Sequence, residues 1–190
     1  NVPEAALILF RSAPYFPART IHVVVVDPGV GTSRRPLAAQ LGSQFYVGPD
    51  NGTITLWLER LEANGQPTAF YHLNRPEFWL AEVSHVFHGR DIFAPVAAHL
   101  ASGISLEQLG APIDEPVRLD LPRPTPTTSG LRGEVIHIDH FGNLATNIRF
   151  EHLPPDKNIT VSLCGIIIPG MVDTFGERLP GELIALLGST

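Results

Sequence analysis

The stretch VVVVDPGVGTSRRP, residues 23–36, runs from four successive valines into a carboxylate, a glycine-rich turn and two arginines. Four β-branched residues in a row are typical of a strand buried on both faces, so residues 21–26 are predicted as a central strand. Ligands of α/β sheets collect just beyond the carboxyl ends of the strands. Asp27 and Arg34 are therefore candidate active-site residues.

Helix and strand patterns alternate along the first part of the chain. The predicted elements are helices at 2–12 and 54–62 and strands at 37–41, 44–47 and 69–73. Asn1 is placed to cap the first helix, and Asp91 is expected to cap a further apolar helix. This alternation predicts an α/β domain over residues 1–120.

Prolines become frequent after residue 112, and the helical pattern ends there. Residues 121–129 are predicted as a stiff, proline-rich linker. Beyond it, turn residues separate short strand-like runs at 133–138, 145–150, 159–163, 166–168 and 183–187. The predicted fold class is therefore α/β, with an N-terminal α/β sheet domain followed by a smaller C-terminal all-β barrel domain at 130–190.

Charge and composition argue against several kinds of partner. The formal charge is −6, with 13 Lys and Arg against 19 Asp and Glu and no basic run, so no nucleic-acid partner is expected. The apolar runs are far shorter than the roughly 20 residues that cross a bilayer, so no membrane partner is expected. The single Cys164 cannot form an internal disulfide, which makes the cytoplasm the simplest expected location.

Asp27, Arg34 and His88 are the titratable residues that could act together. A histidine held by a carboxylate can orient or deprotonate water, and an arginine stabilises a nearby anion. A structural alternative stays open on residue types alone. In that alternative Asp27 caps a turn, Arg34 pairs with a surface acid and His88 begins a helix.

Two other chemistries find little support in the spacing. His88, Asp91 and Asp27 could serve as ligands of a divalent metal, but no second histidine or paired-carboxylate motif accompanies them, and no metal is predicted. Gly29 and Gly31 resemble a phosphate cradle only superficially, because neither the dinucleotide fingerprint nor a Gly-Lys-Ser/Thr ending follows. These glycines are instead expected to let the backbone turn tightly.

Residues 138–148, IDHFGNLATNI, offer an acceptor, an aromatic ring and an amide in one turn between two predicted strands. The ammonium and carboxylate groups of an amino acid require partners of these kinds. Asp and Asn are also common hairpin residues, and the spacing alone favours a hairpin.

Four motifs together carry a resemblance to a known family. They are VVDPGVGTSRRP at 25–36, GPDNG at 48–52, FHGRDIFAP at 87–95 and IDHFGNLATNI at 138–148. In this order they resemble the S-adenosyl-L-methionine (SAM) hydroxide adenosyltransferase family, relatives of the adenosyl fluorinase and chlorinase. The resemblance implies an N-terminal α/β domain, a C-terminal β-barrel, and a homotrimer with active sites between the first domain of one subunit and the second of its neighbour.

The resemblance also implies the reaction and the residues that perform it. Water, acting as hydroxide, attacks the 5′-carbon of SAM and releases adenosine and L-methionine, with SAM as the substrate and no cofactor. Asp27, Arg34 and His88 match the water-activating set, although Arg35 could take the place of Arg34. The halogenating relatives lack this charged set, which favours hydroxide; a halide adenosyltransferase and a non-catalytic SAM- or adenosine-binding protein are the alternatives.

The same matching implies residues that bind the substrate. Asp139, Phe141 and Asn143 resemble the residues that hold the methionine portion, and Ser189 resembles a serine near its carboxylate. Asp50 and Asn51 are expected to shape the pocket. Family members begin with a strand ending in Thr-Asp-Phe-Gly and continue beyond residues 188–189, so the N-terminal domain is expected to lack its first strand and helix and the C-terminal domain to be truncated.

Overall fold

The computed structural model describes residues 1–154 and 159–188. The chain divides into two units, Asn1–Leu121 and Pro122–Thr190. None of the helices within the described residues is long and apolar enough to cross a membrane.

The first unit is built on a five-stranded mixed sheet. Its strands are β1 (Ile21–Val23), β2 (Pro36–Leu41), β3 (Gln44–Pro49), β4 (Thr68–His72) and β5 (Ala111–Ile113), in the order β1-β3-β2-β4-β5. The β1–β3 pair is parallel, and the other pairs are antiparallel. The unit therefore has the predicted mixed α/β composition, with a sheet that is only partly parallel.

The predicted central position of residues 21–26 is wrong. β1 ends at Val23 and lies at one edge of the described sheet, and the side chains of Val23 and Val25 are 42% and 52% exposed. A β-branched run specifies extended backbone, because such side chains fit a pleated surface. It does not specify how many neighbours the strand has, so an edge strand can carry the pattern of a central one.

Helices cover both faces of the sheet. α1 (Val2–Ser12) and α2 (Thr55–Ala63) lie within one residue of their predicted bounds, and α3 (Ala94–Ala101) and α4 (Leu106–Leu109) complete the unit. Asn1 caps α1 as predicted, since its Oδ1 accepts a hydrogen bond of 2.8 Å from Glu4 N.

Alternate residues of β2 face the two helical layers, as the two-residue period of a strand requires. Leu37 and Leu41 pack in one cluster with Leu58 of α2, whereas Ala38 packs in a second cluster with Val96 of α3. Three layers therefore enclose two apolar cores, one on each face of the sheet.

Asp91 does not cap a helix, contrary to the prediction. A π-helical turn, Gly89–Phe93, precedes α3, and Asp91 lies inside that turn. An acidic residue before an apolar run is typical of a helix start, but here the helical backbone has already begun at His88. The Asp91 carboxylate is therefore available for another role.

The second unit consists of short antiparallel pairs among its described residues. They are β6 (Thr125–Thr127) with β7 (Gly130–Arg132), β8 (Val135–Ile138) with β9 (Leu144–Thr146), and β10 (Thr160–Leu163) with β11 (Ile166–Pro169). A closed barrel is not formed by these residues. Two further expectations differ, because β6 lies within the predicted linker and residues 183–187 form only one isolated bridge, Leu186 to Val172.

Candidate active site

Asp27 and Arg34 meet through a short loop that follows β1. The loop turns twice: Val30 N donates to Asp27 O at 3.2 Å, and Thr32 N donates to Gly29 O at 3.2 Å. These turns bring Arg34 back to Asp27, where Nε donates to Oδ1 at 3.1 Å and Nη2 donates to Oδ2 at 2.5 Å. The pair is bidentate and nearly buried, which makes it both directional and weakly screened.

His88 joins this pair through the same arginine. Arg34 Nη2 lies 3.0 Å from His88 Nδ1. A guanidinium only donates hydrogen bonds, so Nδ1 is the acceptor and the proton of the neutral imidazole is on Nε2. Burial, and then the nearby positive charge of Arg34, lower the pKa of His88 below its usual value.

Arg34 has a further donor in this cluster. Its Nη1 is buried and has no hydrogen-bond partner among the described residues. Its Cζ lies 5.4 Å from the centre of the Phe93 ring, which gives the guanidinium an apolar and polarisable neighbour. A buried donor without a partner is costly, so this group is suited to bind an acceptor from water or from a ligand.

Arg35 binds a different carboxylate from its neighbour in the chain. Its Nε donates to Asp50 Oδ2 at 2.8 Å, and its Nη2 donates to Glu115 O at 3.2 Å. The buried Asp50 also accepts from Val117 N at 2.7 Å. The structure thus places Arg34, and not Arg35, beside Asp27 and His88, while Arg35 connects β3 to the segment around Val117.

Asn51 is bonded to the backbone that leads to Asp27. Its Nδ2 donates to Val26 O at 2.9 Å, and its Oδ1 accepts from Thr53 N and Thr53 Oγ1. Both the amide of Asn51 and the carboxylate of Asp50 are therefore engaged with protein groups, and a substrate contact for either stays a prediction.

Asp91 fixes the loop that carries His88, a role that the sequence did not reveal. Its fully buried carboxylate accepts from Ser84 N at 2.8 Å and from Arg90 Nε at 2.6 Å. The Arg90 hydrogen bond, and then that of Ser84, lower the pKa of Asp91. The described residues contain no group of three or more His, Cys, Asp or Glu side chains that could hold a metal ion.

The candidate methionine-binding residues lie in the second unit, in the turn between β8 and β9. Asp139 Oδ1 accepts from Phe141 N and Asn143 N, both at 2.9 Å, and Asp139 Oδ2 accepts from Asn143 Nδ2 at 2.8 Å. The Asn143 side chain, and then its backbone N–H, lower the pKa of Asp139. The Phe141 ring is 78% exposed, and Ser189 lies outside the described residues.

Sequence models of two consecutive domains match most of the chain. Residues 1–110 match the SAM hydroxide adenosyltransferase N-terminal domain, and residues 133–190 match the C-terminal domain of the same family. The chain belongs to the SAM hydroxide adenosyltransferase family. The matches follow the order of the four motifs, and the first contains the Asp27–Arg34–His88 cluster.

Two curated hydrolases are similar to this family member over the whole chain, and a curated fluorinase is similar over part of it. A (R)-S-adenosyl-L-methionine hydrolase of Salinispora arenicola is 46% identical over 100% of this chain and 71% of its own length, and its counterpart in Salinispora tropica is 42% identical over the same shares. A fluorinase of an Actinoplanes species is 30% identical over 78% of this chain and 57% of its own length.

The fold of this family member is also similar to a solved structure. The crystal structure of a conserved protein from Thermotoga maritima matches with a TM-score of 0.85 and 35% identity, over 98% of this chain and 72% of that one. A crystal structure of a related sequence therefore has this fold.

Proposed function

We propose that this protein hydrolyses SAM to adenosine and L-methionine by attack of water on the ribose 5′-carbon. The observation that carries the proposal is the contact of Arg34 both with Asp27, in a nearly buried pair, and with the partly buried His88, in a chain of this family. The hydrolase names of the relatives that align over the full chain support the same reaction.

The reaction needs alignment more than leaving-group activation. The sulfonium of SAM leaves as the neutral thioether of methionine, so the protein has to hold water in line with the C–S bond. Because His88 Nδ1 accepts from Arg34, its Nε2–H is a donor. In the proposed mechanism this donor binds a lone pair of the water oxygen and orients it toward the 5′-carbon.

Asp27 is the proposed acceptor of the proton that the water loses. Each of its oxygens accepts one hydrogen bond from Arg34, which leaves about half of the lone-pair capacity of the carboxylate for water. As the C–O bond forms and the C–S bond breaks, one water proton passes to Asp27 and then to solvent. Arg34 fixes Asp27, and its Nη1 can donate to the lone pair that the oxygen gains as its proton passes to Asp27.

Asp139, Phe141 and Asn143 are the proposed contacts of the methionine portion, supplied by a neighbouring subunit in a homotrimer. Apolar side chains in the loop before His88 support such an interface, since Leu80, Val83, Val86 and Phe87 are all exposed. A patch of this kind on a folded protein often marks an interaction surface. The aromatic face of Phe141 would suit the sulfonium cation.

Turnover of SAM in oxygen-18 water by the full-length protein tests the reaction. Hydrolysis at the 5′-carbon places the label in the 5′-hydroxyl of adenosine, which mass spectrometry detects. Adenosine without label would contradict the proposal, as would 5′-chloro- or 5′-fluoroadenosine as the main product under saturating halide. Tight binding of SAM without turnover would indicate a binding protein instead.

A further inference from the structure

Val25 and Gly89 make a contact between the two segments that carry the Asp27–Arg34–His88 cluster. Val25 precedes Asp27 by two residues, and Gly89 directly follows His88. The Val25 side chain occupies the space that a Cβ on residue 89 would need. Such a Cβ would lie 3.3 Å from Val25 Cγ2, which is a tight contact. It would lie closer still to Val25 Cγ1, at a separation that real Cβ atoms do not show.

The backbone around Gly89 transmits any displacement to His88. Arg90 N and Asp91 N both donate to Phe87 O at 3.0 Å, and the Asp91 carboxylate holds Ser84 N. These bonds restrain the peptide unit before His88 and the backbone that follows Gly89. If the valine pushed residue 89 outward, the imidazole would therefore move with it.

We infer that Val25 is a positioning residue for the proposed hydrolysis. Its side chain, seated against the bare Cα of Gly89, sets the separation of His88 from Arg34. A second contact between the same two loops supports this, because the His85 carbonyl oxygen lies 2.5 Å from the position of a Cβ on Gly31. The loops thus meet at two glycines, one on each side.

The separation matters because the 3.0 Å contact of Arg34 Nη2 with His88 Nδ1 is at the ideal length of a hydrogen bond. This contact fixes both the tautomer and the direction of Nε2–H. Displacement of a positioning group by about 1 Å can lower the rate roughly 10²-fold. The inference depends on the proposed function for this rate effect only.

The test compares three variants of the full-length protein: Gly89→Ala, the double variant Gly89→Ala/Val25→Ala, and Gly176→Ala as a control. The nearest atom to a Cβ on Gly176 would be Thr174 Oγ1 at 3.9 Å, an ordinary contact. We expect Gly89→Ala to lower kcat at least about tenfold with little change in KM, and the double variant to recover most of that loss.

A histidine NMR titration supplies a readout that does not need turnover, with His88 assigned by comparison with His88→Asn. The charged and titratable groups that act on His88 are Arg34, Asp27, Asp91 and His85. An imidazole displaced from Arg34 and from its partly buried position should titrate closer to its usual pKa. We therefore expect the His88 pKa to rise in Gly89→Ala and to fall back in the double variant.

The inference is overturned if Gly89→Ala keeps the wild-type kcat and His88 pKa, or if the double variant folds and stays as impaired as the single one. If Gly89→Ala does not fold, the double variant decides alone: wild-type kcat and pKa support the contact, and a folded variant with altered values overturns it. Absence of turnover in the wild-type protein would reject the proposed function, while the titration would still test the contact.

Discussion

Arg34 and Arg35 are adjacent, but their guanidinium groups bind different carboxylates, Asp27 and Asp50. Substitution by lysine keeps the charge and removes the planar fork. We expect Arg34→Lys to lower kcat/KM on the order of 10²-fold, because the bidentate bond to Asp27 and the bond to His88 cannot both be kept. Steady-state kinetics with SAM measure this loss.

Arg35→Lys is the matched control for that prediction. Arg35 is more exposed than Arg34 and connects Asp50 to the Glu115 carbonyl. Its replacement should therefore lower Tm, and should lower kcat/KM less than Arg34→Lys does. If Arg35→Lys abolished turnover and Arg34→Lys did not, the proposal that Arg34 acts in the reaction together with Asp27 and His88 would be wrong.

The pH dependence of the reaction should depend on His88. Burial and Arg34 lower the pKa of His88 below 6.5, so the imidazole is neutral at neutral pH. Activity should be constant above that value and fall as the pH drops through the lowered pKa, because imidazolium cannot accept from Arg34. His88→Asn, assayed for kcat/KM across the same range, should lack this acidic limb.

His88 should also make the free energy of unfolding depend on pH, in the same direction as the activity. Its pKa is lower in the folded state than in the unfolded chain, so its contribution to the free energy of unfolding is present above about pH 6.5 and is lost as the pH falls through the folded value. Chemical unfolding at several pH values, compared with His88→Asn, measures this contribution.

Asn51 offers a residue-level test of the backbone that leads to Asp27. Asn51→Ala leaves the Val26 carbonyl without its donor and should lower the free energy of unfolding by about 1–3 kcal/mol. Asn51→Asp keeps an acceptor for Thr53 but turns a carboxylate oxygen toward the Val26 carbonyl oxygen, so it adds charge repulsion to the loss of that bond. A larger drop in kcat for Asn51→Ala than for a remote variant of equal stability would therefore show that the bond also positions Asp27.

Residue types predicted the members of the cluster, but not their connections. Asp27, Arg34 and His88 could be selected because each follows or precedes a recognisable element. The choice between Arg34 and Arg35 could not be made, because a loop of several residues separates Asp27 from both. The role of Asp91 depends on a bond to Ser84, which lies in a loop without a periodic pattern.

At the scale of elements, the loop that contains Asp27 and Gly31 packs against the loop that carries His88. Gly31 has φ +77°, and a Cβ there would lie 2.5 Å from the His85 carbonyl oxygen. Gly31→Ala should therefore cost about 3 kcal/mol or more of folding free energy, from backbone strain and the clash together. Urea unfolding followed by circular dichroism measures the cost.

Gly65→Ala is the matched control, since Gly65 has φ +62° and an open environment. It should show only the strain of a left-handed backbone, about 1 kcal/mol. Equal costs for the two substitutions would mean that the His85 carbonyl moves aside, and the contact between the loops would then carry no energy.

Element types were more predictable than element neighbours. Helices α1 and α2 follow from apolar periodicity, and α1 also from the Asn1 cap, which are local signals. The edge position of β1 and the pairing of β6 with β7 depend on which segments meet in space. Short runs with turn residues predicted antiparallel strands in the second unit, but closure into a barrel cannot be read from such runs.

At the scale of the whole molecule, the exposed patch of Leu80, Val83, Val86 and Phe87 is proposed to lie in a trimer interface. Phe87→Glu places a charge in that interface and should convert the trimer to smaller species, as measured by light scattering, with a parallel loss of kcat/KM. Tyr15→Glu, at another exposed aromatic residue, is the control. A trimer that persists in Phe87→Glu would place the interface elsewhere.

The division into two units has an optical consequence. Both tryptophans, Trp57 and Trp79, and all three tyrosines belong to the unit Asn1–Leu121. Of phenylalanine, tyrosine and tryptophan, the second unit contains only phenylalanine. Intrinsic fluorescence excited at the red edge of protein absorption therefore reports on the first unit alone. A second unit that unfolds separately would be silent in that signal, so agreement between fluorescence and far-ultraviolet melting curves would measure how tightly the two units are coupled.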